Sequence, residues 1–429
     1  MKKMPEFVFD AQLLREIRGK FCYVEKDCFG RKRIFLENAG GSLRLKDAAA
    51  AKAEMERIAE CPERTNDIAV WLQEIKEQGL NDLKKVIFGG DETGSIVAEL
   101  TPSQVMYRIV RAIIESVPGK NVVTTSLEHP SAYDSARIYA GKMGMEFRVA
   151  AANPKTGGVD TAEILKLVDK DTCLLSVMSA SNITGYIFNL AEIAEEARKI
   201  KPDLFIITDA VQHLPHGAMD AKKIGLDGIN YGPYKHFGIR GCGYGYVSDR
   251  VAKLPHDKLE AKLPNEWELG TYPHPNFASL TKIVDYVCWL GSHFMDAGDR
   301  RTKYVAGMEK IHAYEHSLLI RMLDGTAQVP GLRRIDGVKV YADSPNEVDR
   351  DPIAAIGICG MDCTEAAGKY LKKGITVNAR VNTSLYSKRI IESLGLAGLI
   401  RVSPLHCNTF DEIDRFLRVT KEIAGTAGK

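Results

Sequence analysis

The sequence predicts an α/β protein: a large domain built on a mostly parallel β-sheet with helices on both faces, followed by a smaller α+β domain. Three observations carry this. From about residue 120 short β-rich runs alternate with helical patterns, the order that builds βαβ units. The strands read as near-continuous apolar runs, as strands buried on both faces do. The 429 residues also exceed what one hydrophobic core usually serves, so two packed units are expected.

In chain order, "NVVTTSLEH" (121–129) reads as a strand and its exit, "SAYDSARIYAGKMG" as a helix, "EFRVAAA" as a strand and "TAEILKLVD" as a helix. "TCLLSVMSASN" (172–182) is a strand, "NLAEIAEEARKI" (189–200) an amphipathic helix and "LFIITDAVQ" (204–212) the next strand. Beyond residue 296 a long helical pattern, "TKYVAGMEKIHAYEHSLLIRML", leads into strand candidates "VKVYA" and "IAAIGICG" and a last helix, "FDEIDRFLRVTKEIAG". The expected division is a large domain over 38–296 and a small one from 1–37 and 297–429. No internal repeat or low-complexity segment interrupts it.

Composition narrows the function classes. Hydrophobic residues make up 45% and charged ones 27%, with a formal net charge of only +2, so neither nucleic acid nor an anionic membrane is an expected partner. Glu6, Asp10 and Glu16 break the amino-terminal stretch, which reads as neither leader nor anchor, and no apolar run is long enough to span a bilayer. The nine cysteines are scattered without a CxxC pair, the closest being Cys359 and Cys363. This suits a reducing, cytoplasmic compartment, with no metal site expected.

In open α/β sheets ligands collect beyond the carboxyl ends of the strands. The polar residues there are Glu128 and His129, Ser181 and Asn182, Asp209 and Gln212, then Tyr234 and Lys235. Each has a bland reading: Asp209 as a turn or cap aspartate, His129 as a structural strand-end histidine. As a set they suit pyridoxal phosphate, whose ring nitrogen needs an anion, whose aldehyde needs a lysine and whose phosphate needs a nest of donors. Lys235, among aromatics and glycines with few carboxylates, suits an amine that must be partly deprotonated to react. Asp209 would hold the ring nitrogen protonated, Gln212 and Asn182 could donate to the phenolic oxygen, and His129 could lie flat on the ring. "LTPSQ" begins a helix with a capping-box pattern, Thr101 as N-cap and Gln104 at the third position, so Thr101, Ser103 and Gln104 are phosphate candidates. Gly270 and Thr271 in "WELGTYPHPNF" form a second donor loop or a plain turn.

"TDAVQHLPHGAMD" followed by "YGPYKHFGIRGCGYGY" resembles the fold-type I, class V aminotransferase family, which includes cysteine desulfurases, selenocysteine lyases and kynureninase. The 26-residue step from Asp209 to Lys235 suits it, as do "LENAGGS" (36–42), "LEHPSA", "SNITGYIFNLAEI", "ELGT" and "IRVSPLHCNTFDEID" (400–414), in that family's order. The resemblance implies a large domain with a mostly parallel sheet of the seven-stranded type and pyridoxal 5'-phosphate joined to Lys235. It implies an amino-acid substrate bound as an external aldimine, with Arg401 on its α-carboxylate and Asn38, Ala39 and Gly40 at the substrate entry. It also implies a homodimer in which Gly270 and Thr271 reach the partner's phosphate. The sequence departs from the family at three points. "NARVNTSLYSKRIIESLGLAGLI" lacks the persulfide-forming cysteine of the desulfurases, and Cys407 falls after Arg401 as a packing residue. "GPYK" stands where S-G-H-K is usual, leaving Tyr234 in place of a phosphate contact, and Arg380 or Asn378 stands near the usual second arginine. The expected activity is a desulfurase-like C–S or C–Se β-lyase without a persulfide cysteine; alternatives are transamination or epimerisation of a small amino acid, or a non-catalytic protein that only binds the cofactor.

Overall fold

A computed structural model describes residues 9–344 and 350–426. The expectation that the amino terminus is neither leader nor anchor rests partly on residues 1–8, which lie outside the described residues. Helix α1 (Ala11–Gly19) starts where the Asp10 carboxylate accepts the Leu13 N–H at 2.8 Å, and it buries Leu13 and Ile17. Its Arg18 donates to the Cys407 carbonyl at 2.6 Å and to Glu412 at 3.1 Å, which ties the first helix to the last. Strand β1 (Ile34–Phe35) follows, then α2 (Lys46–Met55) and α3 (Asp67–Asn81).

The central sheet is built from β2 (Ser95–Glu99), β3 (Asn121–Thr125), β4 (Glu146–Ala150), β5 (Thr172–Ser176), β6 (Phe205–Asp209), β7 (Gly228–Tyr231) and β8 (Gly243–Val247). Its seven strands run in the order β2-β8-β7-β6-β5-β3-β4, with β8 running against the other six. The helices between them are α4 (Pro102–Ser116), α5 (Pro130–Lys142), α6 (Thr161–Leu165), α7 (Leu190–Ile200) and α8 (Ala221–Ile224), with α9 (Asp249–Ala252) after β8. Every residue of β3, β5, β7 and β8 is buried, which explains why these strands read as unbroken apolar runs. The order in which strands are added reverses at β3: β4 lies on one side and β5, β6 and β7 on the other, so the carboxyl ends of β3 and β5 open onto a crevice.

Three expected elements end early. β5 stops at Ser176 and β6 at Asp209, although the apolar runs continue, because the chain there turns out of the ladder. The Ser179 N–H then donates to the Asp209 carbonyl at 3.0 Å and the Ala210 N–H to that of Asn230 at 3.0 Å, so neighbouring exits lace one another. The helix expected over "TAEILKLVD" closes after Leu165.

Helices α10 (His274–Gly291) and α11 (Arg300–Asp324) pack together and lead to β9 (Val338–Tyr341), β10 (Ala354–Ile358), α12 (Cys363–Lys372), β11 (Ile375–Thr376), β12 (Asn378–Val381), α13 (Lys388–Ser393), β13 (Gly398–Val402) and α14 (Phe410–Ala424). β12, β13, β10 and β9 form an antiparallel sheet in that order, while β1 pairs in parallel with β11 and so joins the amino-terminal segment to this region. α14 carries a full capping box between Thr409 and Glu412.

Gly243 fixes how closely β8 passes the start of α4, since a Cβ there would collide with the backbone of Thr101 and Pro102. Backbone cannot move aside as a side-chain tip can. Gly243→Ala should therefore cost about 2 kcal/mol by overpacking, read as a lower thermal unfolding midpoint, and should displace the amino end of α4.

Candidate active site

Lys235 lies in a short 3₁₀ turn (Pro233–Lys235) just beyond β7 and is 7% exposed. Gly232 makes the turn fit, because a Cβ there would press on the Pro102 ring carbon at 2.8 Å and the Tyr234 ring at 2.9 Å. The amine donates to Gln212 Oε1 at 2.9 Å. Burial disfavours its charged form and Arg401 repels it; Asp209 offsets this only in part, and its pKa falls to about 7. At neutral pH a large share of Lys235 is therefore free amine.

Asp209, the last residue of β6, is 5% exposed and accepts the Val211 N–H at 3.1 Å. Burial pushes its carboxyl upward, with that N–H, Lys235 and the Asn230 side chain opposing. A buried carboxylate so thinly compensated has room for one more cationic or N–H partner. From β5 the chain brings Met178, Ala180 and Asn182 to the same cavity, and from β7 Asn230. The Asn182 side-chain oxygen is buried without a hydrogen-bond partner.

His129 is the N-cap of α5, its Nδ1 accepting the Ser131 N–H at 3.2 Å and lying 2.8 Å from the Ser131 hydroxyl. Burial, then the nearby charge of Lys235, lowers its pKa to about 3, so the ring is neutral. Its edge is fixed and the residue lines the cavity. Ser131 was not foreseen, though "HPSA" shows a hydroxyl two residues after the histidine, where a cap would need it.

At the far wall the amino end of α4 contributes Pro102 and Ser103. Thr101 and Gln104 are exposed: the Thr101 hydroxyl accepts the Gln104 N–H at 3.2 Å and contacts Gln104 Oε1 at 3.1 Å. Only half of the expected capping box forms, because the Gln104 side chain bonds that hydroxyl instead of the Thr101 N–H. As side chains, these two do not reach the cavity. Tyr234 does, with the Arg240 guanidinium 4.7 Å above its ring. Gly270 and Thr271 lie exposed in the loop before α10 and do not line this cavity.

Arg401 of β13 is 1% exposed and arrives from the smaller sheet. It donates to the Asn182 carbonyl at 2.7 Å and to Glu37 at 2.5 Å, while its Nε–H has no partner. Glu37 also went unforeseen, although it begins "ENAGG"; a fully buried arginine needs a counter-charge, which is a usable signal. The Asn38 side chain is already spent, donating to the Ser403 carbonyl at 3.0 Å and accepting the Leu43 N–H at 3.1 Å. Ala39 N–H donates to the Ser403 hydroxyl at 3.0 Å, and Gly40 stays exposed. Arg380 sits on β12 two residues beyond Asn378, the register partner of Arg401, hence on the same sheet face. Burial and then Arg401 lower its pKa to about 10.

The donor set fits pyridoxal phosphate on the structure's own terms: a buried free amine, a buried carboxylate with room for a cation, an unpaired amide oxygen, a neutral ring lining the cavity and a helix amino terminus at its wall. Among the described residues no group of three or more His, Cys, Asp or Glu is placed to hold a metal. No helix among them is long and apolar enough to cross a membrane. All nine thiols are free, and Cys407 is buried, which pushes its thiol well up and leaves it inert.

A family model described as Aminotransferase class-V matches residues 105–416, and the chain belongs to that family of enzymes. A probable cysteine desulfurase of Synechocystis sp. is 25% identical over 315 residues, covering 70% of this chain and 68% of the relative. An aminotransferase-like protein of Gibberella zeae is 25% identical over 426 residues, 94% of this chain and 96% of its own. The solved apo cysteine desulfurase of Thermococcus onnurineus superposes with a TM-score of 0.77 at 20% identity, over 92% of this chain and 95% of that one. That likeness establishes the fold, which is fold type I.

Modification of the cofactor-free protein by an amine-directed reagent, followed by peptide mass spectrometry, should be half-maximal at Lys235 near pH 7. Asp209 raises the lysine's proton affinity, so Asp209→Asn should move that midpoint to lower pH; a midpoint near 10 would contradict the assignment of a neutral amine.

Proposed function

We propose that this protein is a pyridoxal-phosphate-dependent enzyme that cleaves a C–S or C–Se bond at Cβ of an amino acid, without a persulfide cysteine of its own. The observation that carries the reading is the single cavity that brings the buried amine of Lys235 together with the buried carboxylate of Asp209 at the neighbouring strand end. Bound there, the cofactor supplies an electrophilic aldehyde and a ring that takes up the electron pair left at the substrate's Cα.

The chain's residues do the rest. Lys235 provides the amine that holds the aldehyde and afterwards moves protons at Cα and Cβ. Asp209 keeps the ring nitrogen protonated, and His129, held by Ser131, covers one ring face and excludes water. Gln212 and Asn182 address the phenolic oxygen. Ser103 and the amino end of α4 hold the phosphate, with Tyr234 beside them. Arg401, steadied by Glu37, has N–H groups left for the substrate α-carboxylate, with Arg380 next to it on the same face. Gly270 and Thr271, exposed here, would serve the phosphate of a second copy in a cytoplasmic homodimer.

Absence of a thiol between Asn382 and Ser387, and burial of Cys407, support release of sulfur to solvent or an external acceptor. A second reading, transamination of a small amino acid, is favoured by the aminotransferase-like relative matched over 94% of this chain. With pyridoxal phosphate the protein should turn yellow, and Lys235→Ala should lose that band; failure of the wild type to gain a chromophore sinks the cofactor reading. An amino-acid panel should then yield pyruvate, ammonia and sulfide. Accumulation of pyridoxamine phosphate that 2-oxo acids reverse would replace the lyase by an aminotransferase. Arg401→Ala should weaken amino-acid binding about 100-fold, the loss of charge-assisted hydrogen bonds to a carboxylate, measured by spectral titration.

A further inference from the structure

Behind Lys235 runs a line of buried polar groups of which these roles use only Gln212. Gln212 Oε1 meets Lys235 Nζ at 2.9 Å, and Gln212 Nε2 faces His216 Nε2 at 3.4 Å. His216 Nδ1 lies 2.8 Å from Glu315 Oε2 on α11. Glu315 Oε1 accepts the His406 N–H at 3.0 Å, and His406 Nε2 lies 2.7 Å from the Tyr286 hydroxyl on α10. None of the five is more than 5% exposed.

Proton counting restricts this line. A carboxylate as buried as Glu315 needs a cation beside it. The candidates are His216 at 2.8 Å and His406, whose Nδ1 is 3.4 Å away. Burial opposes charge on both, but the Glu315 carboxylate overrides it only at His216, which is raised, while His406 and His236 are lowered. Glu315 is correspondingly held down to about 2. The other charged or titratable groups facing His216 are Asp351, which favours its protonation, Lys235, which opposes it, and His312, whose Nδ1 lies 3.2 Å from the His216 carbonyl. An imidazolium carries N–H on both nitrogens, so Nε2–H must find an acceptor, and the group facing it is the Gln212 amide. The amide's two ends are nearly isosteric. Turned over, its oxygen accepts from His216 and its NH2 points at Lys235, whose neutral amine can accept.

We propose that the His216–Glu315 ion pair is a positioning device that fixes the Gln212 amide with its oxygen toward His216 and its NH2 toward the cavity. Resting on the cofactor reading above, this assigns Gln212 as an obligatory donor to the phenolic oxygen, with an acceptor role there closed off. A donor stabilises the ionised phenolic oxygen and so weakens the hold on the proton shared with the Lys235 nitrogen.

The test is a pH titration of the visible band of the cofactor-bound protein. Gln212→Leu should raise its midpoint by about one unit, the worth of one charge-assisted hydrogen bond. His216→Leu combined with Glu315→Leu, which leaves no buried charge unpaired, should raise it equally, and adding Gln212→Leu to that pair should change nothing more. An unchanged midpoint in the folded pair, or shifts that add, overturns the proposal. Should the pair fail to fold, neutron diffraction of wild-type crystals at pH 8 decides: deuterium on both His216 nitrogens and an amide ND2 facing Lys235 support it, and a bare Nε2 overturns it. Failure of the wild type to form a chromophore would count against the cofactor reading instead, and the neutron measurement on cofactor-free crystals would still decide the orientation.

Discussion

Lys235 sits where two demands conflict. A reactive amine must shed its proton near neutral pH, yet the carboxylate of Asp209, close by at the adjoining strand end, favours keeping it. Burial decides the balance. The turn after β7 withdraws the amine from solvent, Gly232 lets α4 and Tyr234 close around it, and Arg401 adds repulsion from the facing sheet. Were the turn more open, water would restore the ammonium and Asp209 would pair with it, leaving neither group for a ligand. The rest of the site depends on this enclosure.

The smaller antiparallel sheet enters the same balance. Arg401 is anchored at both ends of its guanidinium, to Glu37 beyond β1 and to the Asn182 carbonyl at the exit of β5. One side chain thus ties the central sheet, the amino-terminal segment and the smaller sheet together at the cavity. A carboxylate bound there would draw charge from Arg401, relieve its repulsion of Lys235 and favour the ammonium.

Much of this was legible in the chain. The βα alternation and the unbroken apolar runs located the parallel strands, and the polar residues at their exits named Lys235, Asp209, Asn182 and Gln212, which the cavity brings together. Strand ends were misjudged where the run stayed apolar, because burial continues past the ladder into the lacing turns. Thr101 and Gln104 were expected at the cavity because the cap motif was recognised, yet capping is what turns their side chains away. Glu37, Ser131 and Glu315 were missed for a common reason: each supports another residue. Glu315 lies 99 positions from His216, and only the packing of α11 joins them.

On the lyase reading, the loop from Asn382 to Ser387 bears on the fate of the sulfur. It offers an amide, hydroxyls, the exposed Leu385 and Tyr386, whose ring lies 6.4 Å from that of His129 and tilted by 26°. A thiol there would take sulfur by attack and hold it as a persulfide. Hydroxyls cannot, since an alcohol is a far poorer nucleophile toward sulfur than a thiolate at neutral pH. Under that reading, sulfur freed at this site would depart as a small species or meet an acceptor from solution, because the described loop offers it no thiolate.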